Sequence, residues 1–74
     1  MDITEEQQKI MNLFLNDESV KLSTIEKEFS DLPKQKVRYF LDGLIHLEYL
    51  EYARFHNNQD INILITTNGR AFLF

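Results

Sequence analysis

The sequence contains no cysteine and no tryptophan, and its 74 residues include only two glycines and one proline. Without cysteine there can be no disulfide, no thiolate zinc site and no thiol redox centre, which favours a reducing compartment such as the cytoplasm. No apolar run approaches the ~20 residues that a membrane-spanning helix needs, and the acidic start MDITEEQQK is unlike a signal peptide. We therefore expect a single ordered cytoplasmic domain over residues 1–74, without linkers or a membrane anchor.

Acidic and basic residues are distributed unevenly along the chain. The net charge is −4, which argues against loose, sequence-independent coating of nucleic acid. Residues 33–41 nevertheless carry Lys34, Lys36 and Arg38 and no acid, whereas residues 1–19 carry five acids and one lysine. The pattern predicts a local cationic surface on an acidic protein.

Periodicity and capping residues predict that the chain begins with a helix, a short strand and a second helix. Residues 4–7, TEEQ, have the form of a capping box and open a helix that continues to about Asn16. Residues 20–22 alternate over a length that suits only a small edge strand. Residues 23–26, STIE, resemble a second capping box at the start of a short helix. The buried residues of the two helices are expected to be Ile10, Met11, Phe14, Leu15, Ile25 and Phe29.

The third predicted helix, at about residues 33–47, has two contrasting faces. Pro33 suits its first turn. One face carries apolar residues at helical spacing, namely Val37, Phe40, Leu41, Leu44, Ile45 and Leu47. The opposite side of its first two turns carries Lys34, Gln35, Lys36, Arg38 and Tyr39. A helix start with three cations and no acid before Asp42 favours an approach to a phosphate backbone, with its N-terminal side chains presented to base edges.

From Tyr49 onward the apolar pattern changes from a helical period to an alternating one. We expect two strands, over about residues 49–55 and 61–65, joined by the polar turn at residues 56–60 into a β-hairpin. Residues 66–70 are predicted to cap a last helical turn or two. The fold class is therefore α+β, with three helices, a small antiparallel sheet and a short C-terminal helical turn. Its predicted core comprises Ile10, Phe14, Leu22, Ile25, Phe29, Val37, Phe40 or Leu41, Leu44, Leu50, Ile63 and Ile65.

Four segments in this order resemble a winged helix-turn-helix domain over essentially the whole chain. They are SVKLS between the first two helices, the turn SDLPKQKV, the phrase VRYFLDGLIHLEYLEY, and ITTNGRAFL. The last is similar to the L-T-x-x-G-R ending of the wing in regulators of the MarR and PadR kinds. The resemblance implies a small bacterial or phage transcriptional regulator. Such a protein would bind double-stranded DNA sequence-specifically, with the helix at about 33–47 in the major groove.

The resemblance also implies roles for the exposed residues of that helix. Gln35, Arg38 and Tyr39 would contact bases, because glutamine and arginine form bidentate hydrogen bonds to adenine and guanine. Lys34 and Lys36 would hold phosphates. Tyr39 could equally be half-buried against the second helix.

Two positions depart from the pattern of the resembling regulators. Residues 48–49, Glu-Tyr, stand where many relatives have glycine after the recognition helix. The wing tip at residues 56–60 offers little positive charge, and Arg54 is the nearby cation that could contact DNA.

Other classes of function find less support in the sequence. His46 and His56 are too far apart to suggest a metal site and are expected at the surface. No nucleophile with its base, phosphate loop or carboxylate pair is present, so neither an enzyme nor a cofactor site is expected. The alternative function is a protein-interaction module that binds no DNA, through the acidic first helix or the C-terminal apolar residues Phe72, Leu73 and Phe74. Those residues could instead close the core over the first helix or form a homodimer contact.

Overall fold

A computed structural model of the chain describes residues 3–53 and 60–74. Four helices and three strands follow one another in the predicted order within these residues, and the α+β fold class is confirmed. In chain order they are α1 (Glu5–Asn12), β1 (Ser19–Lys21), α2 (Leu22–Glu28), α3 (Lys34–His46), β2 (Leu50–Tyr52), β3 (Asn62–Ile65) and α4 (Thr67–Leu73). The fourth helix is the predicted C-terminal helical segment.

The three strands form one antiparallel sheet with β3 in the centre and β1 at an edge. Val20 of β1 and Tyr52 of β2 both lie opposite Ile63 of β3. The central strand therefore pairs on one side with β1 and on the other with β2, its partner in the hairpin. The predicted hairpin and edge strand are both confirmed. The predicted turn of the hairpin lies in residues 54–59, outside the described residues.

One apolar core joins the helices to the sheet. Its buried residues are Ile10, Met11, Phe14, Val20, Leu22, Ile25, Phe29, Val37, Phe40, Leu41, Leu44, Leu50 and Ile63. Every predicted core residue is buried except Ile65, which is half-buried at the edge of the core. Phe40 and Leu41 are both buried, because adjacent positions of a helix can share a wide apolar face.

The prediction that α1 continues to about Asn16 was wrong, because the helix ends at Asn12. The backbone then tightens into turns in which the N–H of Phe14 donates to the Met11 carbonyl and that of Leu15 to Asn12. This tighter path keeps Phe14 in the core but turns Leu15 outward, so that 44% of its surface is exposed. At the other end, the predicted capping box between Thr4 and Gln7 is confirmed.

The second predicted capping box does not form. Helix α2 begins at Leu22, directly after β1, and has no side-chain cap of its own. Ser23 instead pairs with Asp60, which lies two residues before β3. The Ser23 hydroxyl donates to one carboxylate oxygen of Asp60, and the Ser23 backbone N–H donates to the other at 3.4 Å. The pKa of Asp60 lies below its usual value, chiefly because its carboxylate accepts the hydrogen bond from the Ser23 hydroxyl. The two predicted buried residues of α2, Ile25 and Phe29, are confirmed.

Helix α3 begins one residue later than expected, with Pro33 as its N-cap in extended backbone. Its C-terminus closes with two bonds, from the Glu48 N–H to the Ile45 carbonyl at 2.9 Å and from the Tyr49 N–H to the Leu44 carbonyl at 3.1 Å. Together they form a Schellman motif, whose left-handed position favours glycine. Glu48 occupies that position with a φ of 66°. The chain therefore makes the same tight corner without glycine, at the cost of a strained glutamate.

The short helix α4 is attached to this corner by a close backbone contact. Thr66 caps α4 by accepting the Gly69 N–H at 3.0 Å, and its own N–H donates to the Tyr49 carbonyl at 3.1 Å. Gly69 is buried against the same carbonyl, and a Cβ there would overlap the Tyr49 oxygen. The glycine of the ITTNGRAFL segment is therefore required by the approach of α4 to the end of α3.

Candidate nucleic-acid interface

The N-terminal half of α3 presents a cationic surface to solvent. Val37, Phe40, Leu41 and Leu44 bury one side of this helix in the core. The five side chains predicted for DNA contact on this helix are all exposed, namely Lys34, Gln35, Lys36, Arg38 and Tyr39. The first turn contains no acid and no side-chain cap, so the positive end of the helix dipole is not neutralised by a local carboxylate.

Tyr39 is a strongly exposed aromatic residue on this surface. The exposed fraction of its side chain is 73%, and its ring contacts Phe40 edge-on at a centroid distance of 5.8 Å. The alternative in which Tyr39 is half-buried against α2 is therefore wrong. An exposed phenol on a helix face can donate to a phosphate or contact a base edge.

The two lysines lie on opposite flanks of α3. Lys34 borders the groove between α2 and α3, which is lined by Phe29, Leu32 and Val37. Lys36 lies on the other flank, on the same side of α3 as Gly43, two turns later. Gly43 faces Gln7 of α1. Gln35 and Tyr39, one turn apart, occupy the middle of the exposed face. Two flanking cations with an amide and a phenol between them suit a helix that enters a groove with phosphates on both sides.

A hydrogen bond links the exposed face of α3 to the sheet. The Tyr52 hydroxyl on β2 donates to Asp42 Oδ1 at 3.1 Å. Burial raises the pKa of the Tyr52 phenol, as do its hydrogen bond to Asp42 and the charge of that carboxylate, while Arg38 acts in the opposite direction. Arg38, Asp42 and Tyr52 therefore form one charged cluster. In the sequence, Asp42 stands out only as the end of the acid-free stretch. Its spacing of four residues from Arg38 predicts that the two side chains are neighbours on the helix. No local pattern predicts its contact with Tyr52.

The remaining sequence-predicted contact on the wing is not located. Arg54 and the wing tip with His56 lie outside the described residues. His46 is exposed in the last turn of α3, as expected.

The C-terminal apolar residues divide between the core and the surface. The Phe72 ring stacks on Tyr49 at a centroid distance of 4.8 Å, and Leu73 packs against the core. Phe74 is 79% exposed and borders a shallow depression with Leu15 and Arg70. Arg70 is held there by a salt bridge to Glu18 at 2.6 Å. Phe72 and Leu73 therefore help to close the core, while Phe74 remains available at the surface.

Three helices, a three-stranded antiparallel sheet and a hairpin that follows the exposed helix define a winged-helix domain. Solved structures with this fold superpose over nearly the whole chain. The MarR C80S mutant from E. coli has a TM-score of 0.80 at 22% identity, covering 96% of this chain and 52% of that one. FabT from Streptococcus pneumoniae, in complex with DNA, has a TM-score of 0.78 at 21% identity, covering 96% and 50%. This chain therefore spans about half the length of the MarR and FabT chains.

A third solved structure has nearly the same length as this chain. Dissimilatory sulfite reductase D (DsrD) has a TM-score of 0.74 at 17% identity, covering 97% of this chain and all of that one. No protein-family model matches the sequence, and no curated protein matches it. The winged-helix fold resembling MarR is thus established by structure. Among residues 3–53 and 60–74, no helix has the length and apolar character needed to cross a membrane.

Proposed function

We propose that this protein is a cytoplasmic transcriptional regulator that binds double-stranded DNA sequence-specifically by placing α3 in the major groove. Its role is binding and not catalysis. Lys34 and Lys36 hold phosphates on the two sides of the groove, and Gln35, Arg38 and Tyr39 contact base edges.

The observation that carries this proposal is the exposed, acid-free start of α3. Five polar or cationic side chains project from two helical turns, in a protein whose net charge is −4. Solvated helix faces ordinarily mix both signs of charge, so this separation calls for a polyanionic partner. The uncapped first turn adds the attraction of a helix N-terminus for phosphate.

Two solved structures with the same fold support DNA binding as such. FabT was crystallised in complex with DNA, and the MarR C80S mutant was also crystallised with operator DNA, at a TM-score of 0.77 to this chain.

A second copy of the chain would double the DNA contact, and the exposed Phe74 beside Leu15 offers apolar surface for it. Sedimentation equilibrium of the wild-type protein and of Phe74→Ser tests that part of the proposal.

The decisive experiment is selection of bound sequences from random duplex DNA at low salt. We expect an enriched motif, because base-edge contacts discriminate among sequences by about 1–3 kcal/mol each. Binding to the enriched duplex should weaken steeply as salt is raised, since phosphate contacts release counterions. If no motif is enriched, the DNA-binding proposal fails and a protein-interaction module becomes the better interpretation.

A further inference from the structure

One acid lies on the otherwise cationic face of α3. Asp42 is exposed and follows Arg38 by four residues, so the two side chains are neighbours on the helix surface. On a surface that approaches phosphates, a carboxylate is repelled by the closely spaced charges of the DNA backbone. Its presence therefore needs a reason other than general affinity for DNA.

The position of Asp42 is fixed from the sheet. Tyr52 reaches across from β2 and donates its hydroxyl to Oδ1 of Asp42 at 3.1 Å. Tyr52 is itself 38% exposed. A hydrogen bond between an exposed carboxylate and a partly buried phenol contributes only modestly to stability, so folding alone does not account for the pair. The bond orients the carboxylate and leaves Oδ2 without a hydrogen-bond donor among the described residues.

A carboxylate oxygen held on a groove-reading helix can accept a hydrogen bond but cannot donate one. Cytosine presents a donor at this edge, its N4 amino group, and aspartate accepts from it. Adenine also presents an amino donor, at N6, but its neighbouring N7 is an acceptor that repels a carboxylate. Guanine and thymine present acceptors at their exocyclic oxygens in the major groove, which would repel the carboxylate. Arg38, one turn away, has the opposite requirement and suits guanine.

Building on the proposed function, we propose that Asp42 is a specificity-determining residue of the α3 surface. Its second carboxylate oxygen, Oδ2, accepts a hydrogen bond from a cytosine amino group, and Tyr52 positions it for that contact. The same charge disfavours registers that bring this part of α3 against a phosphate. Asp42 thus lowers affinity for unrelated DNA while favouring the preferred site.

The test repeats the selection from random duplex DNA with wild-type protein, Asp42→Asn and Tyr52→Phe. With Asp42→Asn we expect one position of the motif to change from cytosine towards adenine, because asparagine pairs with adenine. The affinity ratio between the wild-type motif and an unrelated duplex should fall roughly tenfold, as for loss of one base contact. Tyr52→Phe should keep the cytosine preference and lower the ratio by roughly threefold, since the carboxylate is then less well oriented.

Two matched controls separate this role from general effects. Glu51→Gln removes the same charge from the opposite face of β2, and Tyr49→Phe removes a hydroxyl from the ring that stacks on Phe72. Neither should alter the motif. Circular dichroism and thermal melting should show all four variants folded like the wild type.

The outcomes distinguish the two proposals. If the wild-type protein enriches a motif but Asp42→Asn enriches the same one with an unchanged affinity ratio, the inference about Asp42 is overturned and the proposed function stands. An equal fall in the ratio for Asp42→Asn and Glu51→Gln, without a change of preferred base, overturns it as well. If the wild-type protein enriches no motif, the proposed function fails and the inference fails with it.

Discussion

Replacing Gly69 by alanine should destabilise the protein, although the same substitution in an ordinary helix is stabilising. A Cβ at Gly69 would overlap the Tyr49 carbonyl oxygen and lie 2.7 Å from Ile65 Cγ1. The carbonyl cannot easily retreat, because it also accepts the Thr66 N–H at 3.1 Å. Alanine gains about 1 kcal/mol of helix propensity over glycine, whereas overpacking costs about 1–3 kcal/mol. With backbone as the obstacle we take the upper part of that range and expect a net loss of about 1–2 kcal/mol.

The matched control is Gly43→Ala in α3. A Cβ there would meet mainly the amide end of the Gln7 side chain, which can move. A small rotation of the amide about its Oε1 bond to the Thr4 N–H disturbs the bond from Gln7 Nε2 to the Phe40 carbonyl at 3.2 Å, worth about 1 kcal/mol. The loss offsets the helix-propensity gain of about 1 kcal/mol, and the stability of Gly43→Ala should be close to that of the wild type.

Urea and thermal unfolding of the two variants give the comparison directly. For a domain of this size, a loss of 1 kcal/mol lowers Tm by about 4–8 °C, so Gly69→Ala should melt about 5–15 °C below both the wild type and Gly43→Ala. A Gly69→Ala protein as stable as the wild type would refute the close approach of α4 to Tyr49. The joint between α3 and α4 would then have to be looser than described.

Three further predictions concern the surface and the helix ends. Lys36→Ala should weaken binding to all duplexes alike and reduce the slope of log affinity against log salt by about 0.9. Arg38→Ala should reduce the binding free energy by about 1–3 kcal/mol, mainly on the selected motif. Fluorescence titrations over a salt series measure both effects. Because the pKa of Asp60 is lowered on folding, its contribution to stability is present above its unfolded pKa of about 3.9 and is lost as pH falls through the folded value. The melting temperature of Asp60→Asn should therefore fall less than that of the wild type between about pH 5 and pH 2. Glu48→Gly should raise the free energy of unfolding by about 1 kcal/mol, since glycine accepts the positive φ without strain, and an unchanged or lower urea midpoint would argue against the left-handed corner.

The sequence alone predicted most of the secondary structure and nearly all of the core. The capping box at Thr4, the apolar stripe of α3 and the alternation around Ile63 are local signals, because helix caps and periodicity depend on residues within one or two turns of each other. The exposed face of α3 follows from the same periodicity, so all five of its predicted contact residues lie at the surface. Their contacts with DNA remain a prediction.

Two segments departed from the pattern that their residues predicted. Residues 23–26 have the composition of a capping box, yet Ser23 pairs with Asp60, 37 residues later in the chain. Leu15 fits the helical period of α1, yet the turn after Asn12 places it outside the core. For Ser23 a tertiary contact replaced the local preference, because a short segment contributes too little stability of its own to resist the packing of the rest. For Leu15 the competing structure is itself local, a turn that the helical period does not reveal.

The order of elements and the apolar faces of the helices were determined by the sequence itself, through spacing that any isolated segment would display. The tertiary structure decided which distant groups meet: Asp60 with Ser23, Tyr52 with Asp42, and the Tyr49 carbonyl with Gly69. Each of these contacts joins residues from separate parts of the chain. Its distance depends on how helices and sheet pack around the shared core, and no local pattern of residues carries that information.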